Sequence, residues 1–117
     1  MKLLSIIHIF FIIFFFSTSC QKDSLGDDSS LVSFSEEIAP FFEVNCTECH
    51  YGGRQSPNLH DSVSYSQLIE GGYVLAGDAD ESPLMIKLEN NHPEKGIVSN
   101  DQLGLIETWI NQGAENN

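Results

Sequence analysis

The sequence predicts an all-α domain, and three observations lead to that class. Ser33 and Ser99 each precede a Glu or Gln by three residues and stand before apolar residues at helical spacing, which is typical of a capped helix. The pair Ser82-Pro83 suits a further helix start, because serine caps helices and proline is accepted in the first turn. The alternation of apolar and polar residues that marks a strand is not evident. We therefore expect a bundle of short helices.

The first predicted helix contains a conflict at Pro40. Ser33 and Glu36 fit a capping box, and the apolar residues that follow keep helical spacing. Proline, however, breaks helices beyond their first turn. We therefore expect this helix to start late, near Ala39, and to run into the cysteines that follow it.

Three later segments complete the predicted bundle, and each has a start or stop signal. They are residues 65–70, which end at a Gly pair, residues 83–88, which follow Ser82, and the stretch from Ser99 to Gly113. The last is the clearest, because a capping box precedes it and a glycine follows it.

The size and charge of the chain limit its function classes. Its 117 residues allow one small domain, whose core needs reinforcement, and a cofactor would serve. Asp and Glu number 17, against 5 Lys and Arg. Nucleic acid is not expected as a partner, because phosphate binding needs the opposite charge. An acidic surface either only keeps the protein soluble or also steers it towards a basic partner.

The N-terminal segment predicts export. Residues 3–16 form an apolar run that is too short to span a membrane but suits a signal peptide. Small residues then lead to Cys20, and this arrangement resembles the lipobox of bacterial lipoproteins, in which the cysteine is lipidated. We expect a signal peptide over 1–19, a flexible acidic tether over 20–32 and a domain over 33–117, lipid-anchored to the cell envelope. The alternative is an ordinary secretory signal with Cys20 as an incidental thiol.

The most informative motif is Cys46-Thr47-Glu48-Cys49-His50. Two cysteines at this spacing can each form a thioether with one vinyl group of a haem, and the adjacent histidine then binds the iron. Such attachment takes place after export, which agrees with the signal peptide. The sequence therefore predicts one covalent haem c, held by Cys46 and Cys49 and ligated by His50.

Other interpretations of the two cysteines are weaker. A thioredoxin-like dithiol needs a preceding strand, whereas residues 33–45 have a helical pattern. A disulfide between Cys46 and Cys49 would close a very short loop and add little stability. A zinc site needs four ligands, and these cysteines with a distant histidine do not make a familiar set.

The residue types leave the sixth iron ligand open. His92 lies between the last two predicted helices, and Met85 lies near the start of the third. Either would close the iron site and favour electron transfer, whereas an open site would bind small molecules. Met85 stands among apolar residues, where a core role is expected, and His60 is expected to be a solvated loop residue.

From about residue 34 to 114, the chain resembles the small c-type cytochrome domains of exported bacterial proteins, which are related to class I cytochromes c. Besides the haem motif, the shared features are Ile38-Ala39-Pro40-Phe41-Phe42, Gly77-Asp78, Ser82-Pro83-Leu84 and Trp109-Ile110-Asn111-Gln112-Gly113-Ala114. That family has a Met-Pro pair before its last helix, where this chain has His92-Pro93. The resemblance implies a cytochrome c-like bundle in which His92 replaces the distal methionine, or in which the ligand has moved to Met85.

The expected function is single-electron transfer by a membrane-tethered monohaem cytochrome, with no enzyme activity. The alternative is a haem-based sensor or binder with a displaceable sixth ligand. A peroxidase that used Arg54 and His60 would have little room for a pocket in so short a chain. Redox proteins, basic ones in particular, are the expected partners.

The surroundings of the haem can also be predicted. We expect the ring nitrogen of His50 that does not face iron to donate to a carbonyl of residues 52–59, such as that of Pro57. Arg54 is expected either to neutralise a haem propionate or to lie in solvent. The residues expected to cover the haem faces are Phe41, Phe42, Leu84, Leu88, Ile106 and Trp109.

Overall fold

A computed structural model describes residues 30–93 and 96–117, which contain four α-helices and one π-helical turn. The π-turn is Phe34–Ile38, and the helices are α1 (Ala39–Asn45), α2 (Asp61–Glu70), α3 (Pro83–Glu89) and α4 (Asn100–Asn111). Over these residues no strand forms, and one isolated bridge joins Leu75 and Asp78. The all-α class is thus confirmed for them.

The predicted N-terminal segments are only partly covered. The signal peptide over 1–19 and the lipidation site Cys20 lie outside the described residues. Val32, expected at the end of the tether, is buried, and its N–H donates to Gln112 Oε1 at 2.9 Å. Among the residues described, no helix is both long and apolar enough to cross a membrane.

The chain accommodates Pro40 by a change of helix type. The Ala39 N–H donates to the Phe34 carbonyl, five residues back, and α1 begins directly afterwards, as expected. This change comes just before Pro40. Proline has no N–H, so it cannot donate the hydrogen bond to the carbonyl four residues back that continues an α-helix. Ser33 Oγ accepts the Glu36 N–H at 3.2 Å, but the carboxylate that binds the Ser33 N–H belongs to Glu37, at 2.8 Å. The predicted capping box is therefore wrong in its second partner.

Helix α2 begins at Asp61, four residues earlier than the expected start at Tyr65. His60 occupies the N-cap position, and its Nδ1 lies 3.3 Å from the Ser62 backbone nitrogen, whose N–H it accepts. Histidine is not among the common N-cap residues, so the sequence carried no obvious start signal here. The helix ends at the predicted Gly pair, where Gly72 has a φ of 72°.

Helices α3 and α4 begin and end close to the predicted residues. Both hydrogen bonds of the capping box between Ser99 and Gln102 are present, and Gly113 has a φ of 112° after α4. Ser82 stands at the N-cap of α3, but its side chain does not cap that helix. Its buried hydroxyl donates to the Asp78 carbonyl at 2.7 Å and accepts the Leu75 N–H at 2.9 Å, so it holds the preceding turn instead.

The core joins the π-turn to α4. The Trp109 ring lies 5.1 Å from the Phe34 ring, centroid to centroid, and its indole N–H donates to the Glu115 carbonyl at 2.9 Å. Further along, the Asn117 carbonyl accepts the Ser35 N–H at 2.9 Å. All six residues expected to cover a haem are buried: Phe41, Phe42, Leu84, Leu88, Ile106 and Trp109.

Candidate haem-binding site

The cysteine motif forms a turn that extends α1. Cys46 is the C-cap of α1, and its carbonyl accepts the N–H of Cys49 at 3.2 Å and the N–H of His50 at 2.9 Å. Residues four apart in such a turn share one face. The backbone therefore brings the first cysteine and the histidine to the same side of the motif.

His50 is held at both its ring and its backbone. Its Nδ1 lies 3.0 Å from the Pro57 carbonyl, and its own carbonyl accepts the Leu59 N–H at 2.7 Å. Because a carbonyl can only accept, Nδ1 must carry the proton, and Nε2 of the neutral ring is left with a free lone pair. This is the tautomer that a metal ligand needs, and the predicted hydrogen bond to Pro57 is present.

A cavity of about 420 Å³ lies beside this turn. Cys46, Cys49 and His50 line it on one side, and His92 lines it from another part of the chain. Its volume falls within the range of roughly 300–1,000 Å³ that ligand pockets occupy. The largest apolar and aromatic side chains of its wall are Phe42, Leu59, Tyr73, Leu84, Leu88 and Ile97.

His92 reaches the cavity because α3 ends in a left-handed residue. Asn91 has a φ of 61°, and the His92 N–H then donates to the Lys87 carbonyl at 3.2 Å. This bond, from the residue after a left-handed position back to the last helical turn, is typical of a Schellman motif. The side chain of His92 is exposed and has no hydrogen bond to any residue in the described ranges.

The two imidazoles lie close together in the cavity wall. Their ring centroids are 5.9 Å apart, and their planes are almost perpendicular, at 87°. Two nitrogen–metal bonds of about 2 Å each would occupy much of that distance. The separation therefore suits one metal ion between the rings, and the apolar walls suit a large planar group around that metal.

The other expected ligand and cation do not line this cavity. Met85 is buried in the core, with 2% of its surface exposed, and faces elsewhere. Arg54 is exposed, and its Nη1 donates to the Glu48 carbonyl at 3.0 Å. Among the described residues, the cation in the cavity wall is Lys87, which was not predicted from the sequence. The available signal was that Lys87 and Leu88 follow Leu84 on α3 by three and four residues. Residues at these two spacings share a helix face.

Half of the residues expected to cover a haem lie away from the cavity. Phe42, Leu84 and Leu88 line it, whereas Phe41, Ile106 and Trp109 do not. Trp109 packs against Phe34, so its contribution is to the polypeptide core.

The environment of Cys46 opposes a dithiol redox role. Cys46 is buried, and burial raises the pKa of its thiol to about 11. Dithiol enzymes need a first cysteine with a lowered pKa, because the thiolate is the nucleophile. A raised pKa leaves Cys46 protonated near neutral pH, which disfavours the dithiol interpretation.

His60 belongs to a separate polar cluster. Its Nδ1 lies 3.0 Å from an Asp61 carboxylate oxygen, and its Nε2 lies 4.0 Å from Glu43 Oε1. Glu43 also accepts the Asp61 N–H at 2.9 Å, so the cluster ties α1 to the start of α2. His60, expected to be a solvated loop residue, lies just before α2 and keeps 35% of its side-chain surface exposed. The positive end of the α2 dipole disfavours a cation at this cluster, although three possible ligand residues meet there.

Comparisons with known proteins leave the site to be interpreted from its own chemistry. No protein-family model matches the chain, and no characterised protein or solved structure does. The similarity to c-type cytochromes therefore stays a prediction from the motif and the helix positions.

Proposed function

We propose that this chain is a monohaem c-type cytochrome that transfers single electrons. Cys46 and Cys49 would form the thioethers, His50 would be the proximal ligand and His92 the distal ligand. The observation that carries the proposal is the meeting of these four residues, from two separate segments, at one largely apolar cavity. A cytochrome c-like arrangement of the four helices is part of the same proposal.

Each part of the cavity has a defined task under this proposal. When bound, a c-type haem supplies an iron that takes up and releases one electron. The Pro57 carbonyl holds the proton of His50 on Nδ1, which presents Nε2 to the metal. Phe42, Leu84 and Leu88 exclude water from the planar group, and removing their apolar surface from water also stabilises the small core.

The proposal includes export and membrane attachment, which depend on residues outside the described ranges. A lipid on Cys20 would tether the domain to the cell envelope, and brief encounters with basic redox proteins would follow from the net charge of −12. We propose no enzymatic turnover. The distal acid and base that a peroxidase would need, Arg54 and His60, do not line the cavity.

The decisive experiment is expression of the full chain in a bacterium that carries the haem-attachment machinery. The intact mass should increase by one haem, and the purified protein should be coloured and undergo a reversible one-electron reduction. Cys46→Ala with Cys49→Ala should remove the added mass, whereas Met85→Leu should retain it. Colourless wild-type protein without added mass, from a host that matures another c-type cytochrome, would refute the proposal.

A second candidate function is a haem-based sensor or binder of small molecules. The observation in its favour is the exposed side chain of His92, which no hydrogen bond restrains among the described residues. Carbon monoxide separates the two functions. Rapid, tight binding to the reduced protein supports the sensor, and resistance supports the electron carrier.

A further inference from the structure

Cations are scarce in this protein, and one of them lines the candidate haem cavity. The sequence has 5 Lys and Arg, and two of these, Arg54 and Lys87, lie within the described residues. Lys87 is part of the cavity wall, and Arg54 is not. In a chain with 17 Asp and Glu, a cation at the ligand cavity calls for an explanation.

The position of Lys87 on α3 explains how it reaches the cavity. Leu84, Lys87 and Leu88 share one helix face, and all three line the cavity. Lys87 as a whole is exposed, although it contributes to this wall. A lysine in such a position lays its aliphatic stem along apolar surface and keeps its amine at the solvent boundary. Its place in the last turn of α3 also suits the helix dipole, but the dipole does not require a particular face.

The cavity is therefore suited to a ligand with an apolar body and an anionic edge. Thioether formation at Cys46 and Cys49 and ligation by His50 occupy the motif side, whereas Lys87 lies on a different helix. Glu48 also lines the cavity, and its carboxylate would repel an anion near the motif. The charges of these two residues favour placing an anionic group towards α3.

We propose that Lys87 binds a propionate carboxylate of the haem and sets which edge of the haem lies at α3. This inference rests on the proposed function, and it assigns the anion contact to Lys87 instead of Arg54. The Arg54 guanidinium donates to the Glu48 carbonyl, so it closes the loop after the cysteine motif. Lys87 is a binding residue of the cofactor and would raise the reduction potential, because a nearby positive charge disfavours ferric iron.

The test compares Lys87→Gln, Lys87→Arg and Arg54→Gln in the full chain, matured with haem. Two properties are measured, the reduction potential and the propionate-bending bands of the resonance Raman spectrum. Lys87→Gln should lower the reduction potential and shift those bands. Lys87→Arg, which keeps the positive charge, should retain the wild-type potential and bands. Arg54→Gln removes the same charge from another place and should leave the bands unchanged. Far-ultraviolet circular dichroism of each variant checks that the helices are intact.

The outcomes separate this inference from the proposed function. Bands and potential that are unchanged in haem-loaded Lys87→Gln would overturn the role of Lys87 and leave the cytochrome proposal standing. Bands that shift only in Arg54→Gln would return the contact to Arg54. Wild-type protein that acquires no haem would overturn both proposals at once.

Discussion

The two histidines that line the cavity are held in different ways. His50 has three hydrogen bonds: from its N–H to the Cys46 carbonyl, from its ring to the Pro57 carbonyl, and from the Leu59 N–H to its own carbonyl. His92 has a backbone bond to the Lys87 carbonyl, and its exposed ring has no partner among the described residues. One imidazole is thus oriented before any ligand binds, and the other is positioned mainly by the end of α3.

This difference predicts that the two sides of the cavity have different roles. A preoriented ligand loses little side-chain entropy when it binds a metal, whereas a free ring loses more. The His50 side should therefore hold the haem permanently. The His92 side should be the one at which ligands exchange, and it decides between an electron carrier and a sensor.

The largest expected effect is that of removing the imidazole of His50, the proposed proximal ligand. His50→Ala should reduce the yield of haem-loaded protein by ~10-fold or more. Mutation of a residue that only hydrogen-bonds to a metal ligand weakens metal binding by about 10-fold, and loss of the ligand itself should cost at least as much. The measurement is intact mass after expression with the attachment machinery. His60→Ala is the matched control, because His60 lies outside the cavity, and it should load haem normally. Equal loading of His50→Ala and wild type would mean that the two sides do not differ as proposed.

Removal of the His92 imidazole, the proposed distal ligand, should leave the haem attached and open the iron. We expect His92→Ala to bind carbon monoxide at least ~10-fold more tightly than wild type. An imidazole that occupies the iron most of the time leaves only a small fraction of the protein open to carbon monoxide, and this lowers the apparent affinity by that fraction. Titration of the reduced protein measures this change. Met85→Leu should have no effect, since Met85 does not line the cavity. If Met85→Leu rather than His92→Ala raised the affinity, Met85 would be the distal ligand.

The two cysteines of the proximal motif should differ in reactivity when haem is absent. Cys46 is buried with a thiol pKa raised to about 11, whereas Cys49 is exposed. In protein made without the attachment machinery, iodoacetamide at pH 8 should modify Cys49 at least ~10-fold faster. The Cys46 rate should rise with pH up to about 11, because the thiolate forms only as pH approaches that pKa. Peptide mass mapping follows both sites, and equal rates at pH 8 would contradict the buried position of Cys46.

The smallest expected effect concerns the turn that presents His92. Asn91 has a φ of 61°, which is unfavourable for most side chains. Asn91→Ala should lower the free energy of unfolding by about 1 kcal/mol and increase carbon monoxide binding, whereas Asn91→Gly should preserve both properties. Thermal unfolding and carbon monoxide titration measure the two effects. A loss of stability with unchanged carbon monoxide binding would mean that the turn does not position His92.

Local patterns predicted much of the fold and the part of the candidate site that lies in the cysteine motif. The starts of α1, α3 and α4 followed from capping and proline preferences, because these depend on neighbouring residues. The early start of α2 at Asp61 was missed, since a histidine caps it. The hydrogen bond between His50 and Pro57 was foreseen because the two residues share one short loop.

The remaining residues of the site depended on packing between distant segments. Arg54 was a candidate for the anion contact because the acidic chain offers few cations, yet its guanidinium donates to the Glu48 carbonyl. Lys87 is distant in sequence, and only the placement of α3 beside the motif brings it to the cavity. The partner of the Ser33 N–H likewise changed from Glu36 to Glu37 because of the π-turn before Pro40.

Sequence spacing alone predicted the attachment chemistry, because both thiols and the His50 imidazole lie within one turn of backbone. Which of His92 and Met85 lines the cavity depended on long-range packing. Met85 lies in α3, and His92 follows that helix. The rotation of α3 in the fold buries Met85 in the core, whereas the left-handed Asn91 turns His92 towards His50. Such a rotation follows from the summed burial of many side chains, which no local motif records.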